Sequence, residues 1–283
     1  MAGIYIHIPF CAQACHYCDF YFSTSLKNKT QVINAIKSEL IIQKKYLKEK
    51  SVSTIYFGGG TPSILTKDEI VSIANTIQSY FTVDKDVEFT IEANPEDITK
   101  KTLKIWHSAG VNRISLGVQS FQDEHLKYMN RIHDGRTADT AIKLIQSSPI
   151  KNINIDLIYG FPLLTNELWE YNILKLIKLN IQHISCYCLT VEKKTALFYF
   201  IQHKIYDAMS PELGRKQFLI AHNLLTKYNY EHYEISNFSK KEFNSKHNQN
   251  YWNRTSYLGI GPSAHSFNGT SRQWNIKNNT LYC

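Results

Sequence analysis

Two hydrophobic patterns alternate along the chain. Short runs rich in apolar and β-branched residues predict six strands, at residues 4–8, 54–57, 88–92, 113–117, 154–158 and 183–189. Longer segments with helical spacing of apolar residues predict amphipathic helices between them, at residues 30–47, 67–80, 100–109, 137–146 and 166–179. This alternation is typical of βαβ units. It predicts an α/β fold with a parallel sheet, either open or closed into a barrel.

The pattern changes near residue 210. Residues 211–228 predict one more helix, and a polar, aromatic-rich tract follows from residue 230 to 257. We therefore expect a first domain at 1–210 and a C-terminal extension at 211–283. The extension ends in Asn- and Lys-rich sequence without a finished element, so we expect it to be truncated.

The chain carries an excess of positive charge, formally +8 over 283 residues, with 43% hydrophobic and 20% charged residues. A basic chain suits an anionic partner such as nucleic acid, but the lysines are dispersed, so we interpret the charge as a solvated surface. No apolar run approaches the roughly 20 residues that span a bilayer, and the first residues lack a basic leader. We expect a cytoplasmic protein without a membrane span; peripheral association with a membrane stays open.

Three of the six cysteines form the motif Cys11-x-x-x-Cys15-x-x-Cys18, directly after the first predicted strand. In a reducing compartment such a group need not form disulfides. Three thiolates can bind three irons of a [4Fe–4S] cluster and leave the fourth iron open to substrate. Zinc is the main alternative, although its fourth ligand would be His16 or Asp19, too close in sequence for comfortable tetrahedral geometry. A core role for the three cysteines is the remaining alternative.

The cysteine spacing after an N-terminal strand resembles that of the radical S-adenosylmethionine (radical SAM) superfamily. Six motifs narrow the resemblance to the oxygen-independent coproporphyrinogen III oxidase family: YIHIPFC (5–11), YCDF (17–20), GGGTP (58–62), IEANP (91–95), LGVQSF (116–121) and IDLIYGFP (155–162). The resemblance implies a partial (βα)6 barrel of the TIM-like type. The cluster and S-adenosylmethionine would lie at its open top.

The resemblance also implies a set of S-adenosylmethionine contacts. They fall at Tyr5, Tyr17, Gly59, Gly60, Thr61, Glu92, Gln119, Arg131 and Asp156. The glycines and the carboxylates in this set also fit a ligand site on physical grounds. Glycine lets the backbone approach a ligand closely, and a carboxylate in an apolar strand needs a partner. Structural roles are the alternatives: a tight turn for the glycines, a salt bridge across the barrel for the carboxylates, an ion pair for the arginine and core packing for the tyrosines.

Two departures from the oxidase pattern bear on activity. The resemblance implies a further cysteine two residues after the third ligand, where this chain has Phe20, and a longer N-terminal arm before Cys11. Both departures favour the family's heme chaperone branch, which binds heme and passes it to an acceptor protein. An electron donor would serve the cluster. Radical decarboxylation of coproporphyrinogen III is the alternative. A radical enzyme acting on nucleic acid is a third class, weakened by the lack of an RNA-binding appendage.

A second motif points to the heme chaperone branch. His247-Asn248-x-x-Tyr251-Trp252 matches its H-N-x-x-Y-W string, so the resemblance implies a heme contact at His247. A neutral imidazole can bind heme iron, and aromatic rings can pack on the macrocycle. The alternative is a structural corner, in which the histidine and asparagine bond to backbone and the two aromatic residues fill core.

Other residues compete for the heme iron. The candidates are His7, His16 and His265, together with a cysteine thiolate, and His265 lies in a segment that could close over the site. Cys186 and Cys188 alternate in the sixth predicted strand, so they point to one face of the sheet. We expect both of these cysteines to be core residues.

Overall fold

The computed structural model describes residues 1–48 and 51–283. Its strands are β1 (Ala2–Ile8), β2 (Ser51–Gly59), β3 (Thr82–Ala93), β4 (Arg113–Gln119), β5 (Asn152–Tyr159), β6 (His183–Cys188), β7 (Glu231–His232), β8 (Asn237–Ser239), β9 (Tyr257–Ile260), β10 (His265–Phe267) and β11 (Arg272–Trp274). Its α-helices are α1 (Lys29–Ile42), α2 (Lys67–Tyr80), α3 (Lys100–Ser108), α4 (Asp123–Tyr128), α5 (Gly135–Gln146), α6 (Asn166–Lys178), α7 (Ala196–Gln202), α8 (Pro211–Lys227), α9 (Lys246–Trp252) and α10 (Asn279–Tyr282).

Strands β1 to β6 lie side by side in chain order and are all parallel. At least one helix follows each of them, which confirms the predicted α/β fold with six βα units. We call the carboxyl ends of these strands the top of the barrel and their amino ends the bottom. Among the described residues, no helix combines the length and the apolar composition needed to cross a bilayer.

The two faces of this sheet differ in polarity. Successive side chains of a strand point to opposite faces, and the face under the helices is apolar, as with Ile4, Ile6 and Ile8 of β1. The opposite face lines the lumen, the space that the curved sheet encloses. Apart from Ile158, the lumen positions are polar or glycine: Gly3, Tyr5, His7, Thr54, Tyr56, Gly58, Glu88, Thr90, Glu92, Arg113, Ser115, Gly117, Asn152, Asn154, Asp156, His183, Ser185 and Tyr187. A TIM barrel usually fills this space with branched apolar side chains, so the lumen is built to hold something other than core.

The chain after residue 210 extends both edges of the same sheet. Strand β8 pairs antiparallel with β6, and β9 pairs parallel with β1. Helix α9 closes the bottom of the lumen, where the backbone N–H groups of Lys246 and His247 donate to the Glu88 carboxylate, each at 3.0 Å. The division of the chain at residue 210 stays a prediction.

Most of the predicted helix boundaries agree with the structure to within two residues, and capping residues account for several of the helix starts. Thr66 and Thr99 each cap a helix through a complete capping box, which fixes the starts of α2 and α3. Helix α1 ends at Ile42, five residues before the predicted end, and a short 3-10 turn continues it to Lys45.

The expectation that both cysteines of β6 are core residues is correct for Cys186 and wrong for Cys188. Cys186 is buried, whereas Cys188 is exposed. Cys188 is the last residue of β6, and the last two residues of this strand are exposed. Its thiol lies over Gly160 and Gly214, whose missing side chains leave room beside it.

Candidate metal centre and polar lumen

The three motif cysteines lie in the loop that leaves the top of β1. Cys11, Cys15 and Cys18 are all free and partly exposed. Burial, with the nearby Cys15 thiolate, raises the pKa of Cys11, and burial with the other two thiolates raises the pKa of Cys18 to about 12. The three thiols therefore lie close together, and the ionisation of Cys11 and Cys18 is disfavoured in the absence of a cation. A bound cation reverses this preference, because it stabilises the thiolates.

Backbone hydrogen bonds hold this cysteine loop in place. The Cys11 N–H donates to the Ser23 carbonyl (3.0 Å), and the Ser23 N–H donates to the Pro9 carbonyl (2.9 Å). On the other side, the His16 N–H donates to the Met129 carbonyl (3.1 Å). The protein's own backbone thus fixes the conformation that presents the three thiols.

Arg131 links the cysteine loop to the strand ends. Its Nη1 lies 3.5 Å from Cys15 Sγ, and its Nη2 donates to Asn94 Oδ1 (2.6 Å) and to the Gly117 carbonyl (2.9 Å). The Tyr17 hydroxyl is close by, where burial raises its pKa and the guanidinium partly offsets that effect. The structure therefore brings the predicted residues Cys15, Tyr17 and Arg131 together. A fixed positive charge lies against the thiols.

The glycine motif lies directly beneath the cysteine loop. Gly59 has φ +109°, and a Cβ there would lie 2.5 Å from the His7 ring. A Cβ on Gly60 would lie 2.7 Å from the Phe10 carbonyl oxygen, which also accepts from the Thr61 N–H at 2.7 Å. The two glycines thus allow one backbone segment to pack on another, which is a structural role. A ligand contact at the same loop stays a prediction.

Two carboxylates face the lumen near its top. Glu92 accepts from the Tyr56 hydroxyl (2.8 Å) and the Gly59 N–H (3.1 Å), and burial raises its pKa to about 7. Asp156 accepts from Asn154 Nδ2 (2.8 Å), and burial raises its pKa as well. Neither carboxylate forms an ion pair with any residue that the structure describes. Both can therefore accept hydrogen bonds from the hydroxyl or ammonium groups of a ligand.

Gln119 and Tyr5 complete the upper lumen. Gln119 is the last residue of β4 and has a φ of +64°. Gly117 leaves room for the Gln119 side chain, because a Cβ on Gly117 would lie 2.9 Å from Gln119 Nε2. The Tyr5 hydroxyl lies 3.1 Å from His7 Nδ1, and the Tyr5 ring stacks on Tyr56 with centroids 6.1 Å apart. The nine predicted contacts thus surround the upper lumen and its rim.

His247 lies at the opposite end of the lumen. Its Nδ1 is 2.9 Å from Thr54 Oγ1, and its Nε2 is 3.0 Å from the Tyr251 hydroxyl. The ring stacks on Tyr56 at 4.9 Å and is 2% exposed, and burial lowers its pKa to about 3. Both nitrogens of the neutral imidazole are thus satisfied by protein hydroxyls. The motif matches the structural corner only in the burial of His247, because the ring bonds to side-chain hydroxyls and Tyr251 and Trp252 are 43% and 61% exposed instead of filling core. A heme contact at His247 stays a prediction.

Arg113 and Tyr187 are among the lumen residues that were not singled out from the sequence. Arg113 is 1% exposed, and its Nε and Nη2 have no partner among the described residues. Tyr187 points into the lumen from the end of β6 and is 42% exposed. The sequence does carry a signal for these two residues. Polar residues recur at every second position of the predicted strands, which places them on one face of the sheet.

Comparison with known proteins explains this arrangement. Residues 5–177 match the profile of the Radical SAM superfamily. A heme chaperone HemW from Bacillus subtilis is 35% identical over 279 residues, 98% of this chain and 73% of the relative. HemW from Escherichia coli is also 35% identical, over 93% of this chain and 69% of the relative.

The chain belongs to the HemW family of radical SAM proteins. A solved structure of the radical SAM enzyme HemN, the coproporphyrinogen III oxidase of Escherichia coli, is also similar, with a TM-score of 0.84 and 26% identity. That similarity covers 99% of this chain and 67% of HemN.

Membership of the radical SAM superfamily implies a [4Fe–4S] cluster and S-adenosylmethionine, and the cysteine loop fits the cluster. Its donors are three free, partly exposed thiols beside the Arg131 guanidinium. Thiolates are the usual ligands of iron–sulfur clusters, and each binds a different iron, so the sulfurs need not converge on one point. Among the described residues, no group of three or more His, Cys, Asp or Glu side chains surrounds a position for a single metal ion.

Proposed function

We propose that this chain is a heme chaperone of the radical SAM type, which binds heme and transfers it to an acceptor protein. The observation that carries the proposal is the 35% identity to proteins named heme chaperone over 93% or more of this chain. The thiol loop and the polar lumen support a resident cluster and S-adenosylmethionine.

In this proposal Cys11, Cys15 and Cys18 hold the [4Fe–4S] cluster and leave one iron open. When bound, the cluster supplies an electron that can cleave S-adenosylmethionine. The guanidinium of Arg131 offsets the negative charge of the thiolates and holds the loop against the ends of β3 and β4.

The upper lumen orients S-adenosylmethionine in this proposal. Glu92 and Asp156 accept hydrogen bonds from its hydroxyl and ammonium groups, because neither forms an ion pair in the described chain. Gln119 offers an amide at the end of β4, and Tyr5 and Tyr17 line the wall. The backbone of Gly59, Gly60 and Thr61 closes the side below the cysteine loop.

The partners and location of the protein are part of the same proposal. A heme-acceptor protein and an electron donor for the cluster would meet the chain in the cytoplasm, where thiols stay reduced. Neither the proposed site nor the fold calls for nucleic acid.

Coproporphyrinogen III oxidase is the second candidate function, favoured by the similarity to HemN over 99% of the chain. The sequence departs from the oxidase pattern at Phe20. This side chain is 69% exposed directly after the cysteine loop, where an oxidase would offer a fourth thiol. We therefore rank the chaperone first.

One experiment separates the two functions. The protein is reconstituted anaerobically and then given hemin in one arm and coproporphyrinogen III with S-adenosylmethionine and a reductant in the other. We expect a saturable shift of the heme Soret band and no protoporphyrinogen IX. Formation of protoporphyrinogen IX above a cluster-free control would favour the oxidase, and the absence of hemin binding would contradict the chaperone.

A further inference from the structure

Two histidines face each other where α8 packs on β7. His222 lies on α8 and His232 on β7, and their Nδ1 atoms are 2.9 Å apart. The centroids of the two rings are 5.1 Å apart. Both residues are partly exposed, so the two rings meet at the surface of the protein. We call these two residues the histidine pair.

The histidine pair lies on the helix-covered face of the sheet, away from the lumen. His232 is the register partner of Phe238 in β8, and Phe238 is the partner of Ile184 in β6. Register partners point to the same face of a sheet, and Ile184 belongs to the apolar face under the helices. The pair therefore shares no residue with the cysteine loop or the lumen.

The ring of His232 is held in one orientation. It stacks on Phe238, with centroids 4.0 Å apart and planes inclined by 17°. Its Nε2–H donates to the Ile235 carbonyl at 3.2 Å. Because a carbonyl only accepts, the proton of the neutral ring is on Nε2, and Nδ1 carries a lone pair that faces His222. The same support, a ring N–H on a backbone carbonyl, orients many histidines that bind metals.

His222 can present a second lone pair to the same point. With both rings neutral, His222 Nδ1–H donates to His232 Nδ1. The Nε2 of His222 has no hydrogen-bond partner among the described residues, so this nitrogen can take the proton instead. Both Nδ1 lone pairs then face the space between the rings, and a cation bound there replaces the lost hydrogen bond.

The distance between the two nitrogens selects the kind of ion. Imidazole nitrogens bind metals at about 2.0 Å, so two of them lie about 2.8 Å apart at a right angle and about 3.3 Å apart at a tetrahedral angle. The 2.9 Å of the histidine pair fits the right angle. Tetragonal geometry is typical of copper(II) and nickel(II), and copper(II) forms the more stable complexes. In the described part of the chain no third His, Cys, Asp or Glu joins the pair, so water completes the coordination.

We propose that the histidine pair is a binding site for copper(II), with nickel(II) as the next ion in affinity. The bound ion ties α8 to the hairpin of β7 and β8 through two side chains that lie 10 residues apart in sequence. It stabilises the folded chain, because the unfolded chain does not hold the two imidazoles together. The site is independent of the proposed function, so either can fail without the other.

The test measures the electron paramagnetic resonance of copper(II) added to anaerobically reconstituted protein. Iodoacetamide first blocks the exposed thiols of Cys188 and Cys283, so that these thiols do not compete for the ion. Wild type should bind one copper(II) with superhyperfine splitting from two nitrogens, and its melting temperature should rise. His222→Ala and His232→Ala should bind copper(II) about tenfold or more weakly and lose this rise. His107→Ala, which removes an exposed imidazole from α3, should match wild type.

A further variant, His222→Asn, separates coordination from hydrogen bonding. The asparagine Nδ2 takes nearly the position of the histidine Nδ1 and can still donate to His232. This variant should therefore keep wild-type stability without copper and yet bind copper(II) as weakly as His222→Ala. Equal affinity and nitrogen count in wild type and His232→Ala would overturn the proposal, because the ion would then bind elsewhere. Wild-type copper affinity in His222→Asn, or a signal from only one nitrogen in wild type, would overturn it as well.

Discussion

The top and the bottom of the lumen are built from similar residues but differ in how their polar groups are used. At the bottom, Glu88 accepts from the N–H groups that open α9, and His247 has a hydroxyl on each ring nitrogen. At the top, Cys11, Cys15 and Cys18 are free and partly exposed, and Glu92 and Asp156 form no ion pair among the described residues. Arg113, at the amino end of β4, is the exception at the bottom, since its Nε and Nη2 have no partner in the described chain.

The two ends of the lumen show that a match to a motif does not by itself give the role of its residues. A cysteine string and a histidine string both match family patterns, yet the cysteines are free and partly exposed, whereas the histidine is buried with a hydroxyl on each ring nitrogen. Where the protein itself satisfies a buried polar group, that group stabilises the fold. Where a polar group has lone pairs or protons that the protein leaves unpaired, and solvent can reach the group, a ligand can bind there. Four predictions test this division between the two ends.

The largest effect is expected at the top. Cys15→Ala should abolish a stable cluster, so that iron and sulfide fall from about four each per chain to near zero after reconstitution. The free energy of unfolding of the cluster-free protein should change by less than about 1 kcal/mol, because the thiol is partly exposed. Iron and sulfide analysis and urea unfolding measure the two quantities. Cys186→Ala, at a buried position outside the loop, is the control and should keep its cluster. A full cluster in Cys15→Ala would contradict the assignment.

The opposite outcome is expected at the bottom. Glu88→Gln should lower the free energy of unfolding by about 2–3 kcal/mol, because a donor amide replaces one of the oxygens that accept from α9. Cluster content of the folded protein should not change. Urea unfolding measures the effect, with Asp86→Asn as a control on the exposed part of β3. An unchanged midpoint in Glu88→Gln would mean that α9 is held by other contacts.

A smaller, pH-dependent effect is expected from Glu92. Burial raises its pKa from the ordinary 4.5 to about 7, so the native state binds this proton more tightly than the unfolded chain. The resulting stability is complete below pH 4.5 and is lost as pH rises to about 7. The free energy of unfolding of wild type should therefore fall more steeply across this window than that of Glu92→Gln. Urea titrations at several pH values measure the slope. Glu170→Gln, at an exposed site on α6, should follow wild type, and equal slopes in all three proteins would refute the idea.

The smallest effect is expected from Tyr251→Phe. This change removes the hydroxyl at His247 Nε2 and leaves the rings in place, so it should cost about 1 kcal/mol of unfolding free energy. Thermal or urea unfolding measures it. Tyr199→Phe, at an exposed site on α7, is the matched control. A loss of hemin binding in Tyr251→Phe without loss of stability would instead place a ligand at the bottom of the lumen.

Much of the fold was predictable because its signals are local. Alternation and helical spacing located all six barrel strands, and capping residues such as Thr66 placed helix starts. The end of α1 was missed because apolar residues continue past Ile42 although the helix does not. The exposure of Cys188 was missed because alternation tells which face of the sheet a residue occupies but not how far each residue of the strand is covered.

The site was only partly predictable. The cysteine loop is visible in sequence because its three cysteines lie within eight residues. The carboxylates of β3 and β5 are visible because they are polar residues in otherwise apolar strands. The surroundings of His247 depend on Thr54, almost two hundred residues away, and no local pattern reports that contact. The contact of His222 with His232 depends likewise on a strand, β7, that is only two residues long.

The position of β1 between β2 and β9 has a consequence for synthesis in the cell. Strand β1 gains its second neighbour only when residues 257–260 have been made, about 250 residues later in the chain. At about 5–20 residues per second, the edge of β1 stays open for roughly ten seconds or more. That edge belongs to an isoleucine-rich strand, and unpaired edges of this kind recruit other strands. The interval in which this protein is most prone to aggregate is therefore set by the sequence distance between two strands that end up side by side.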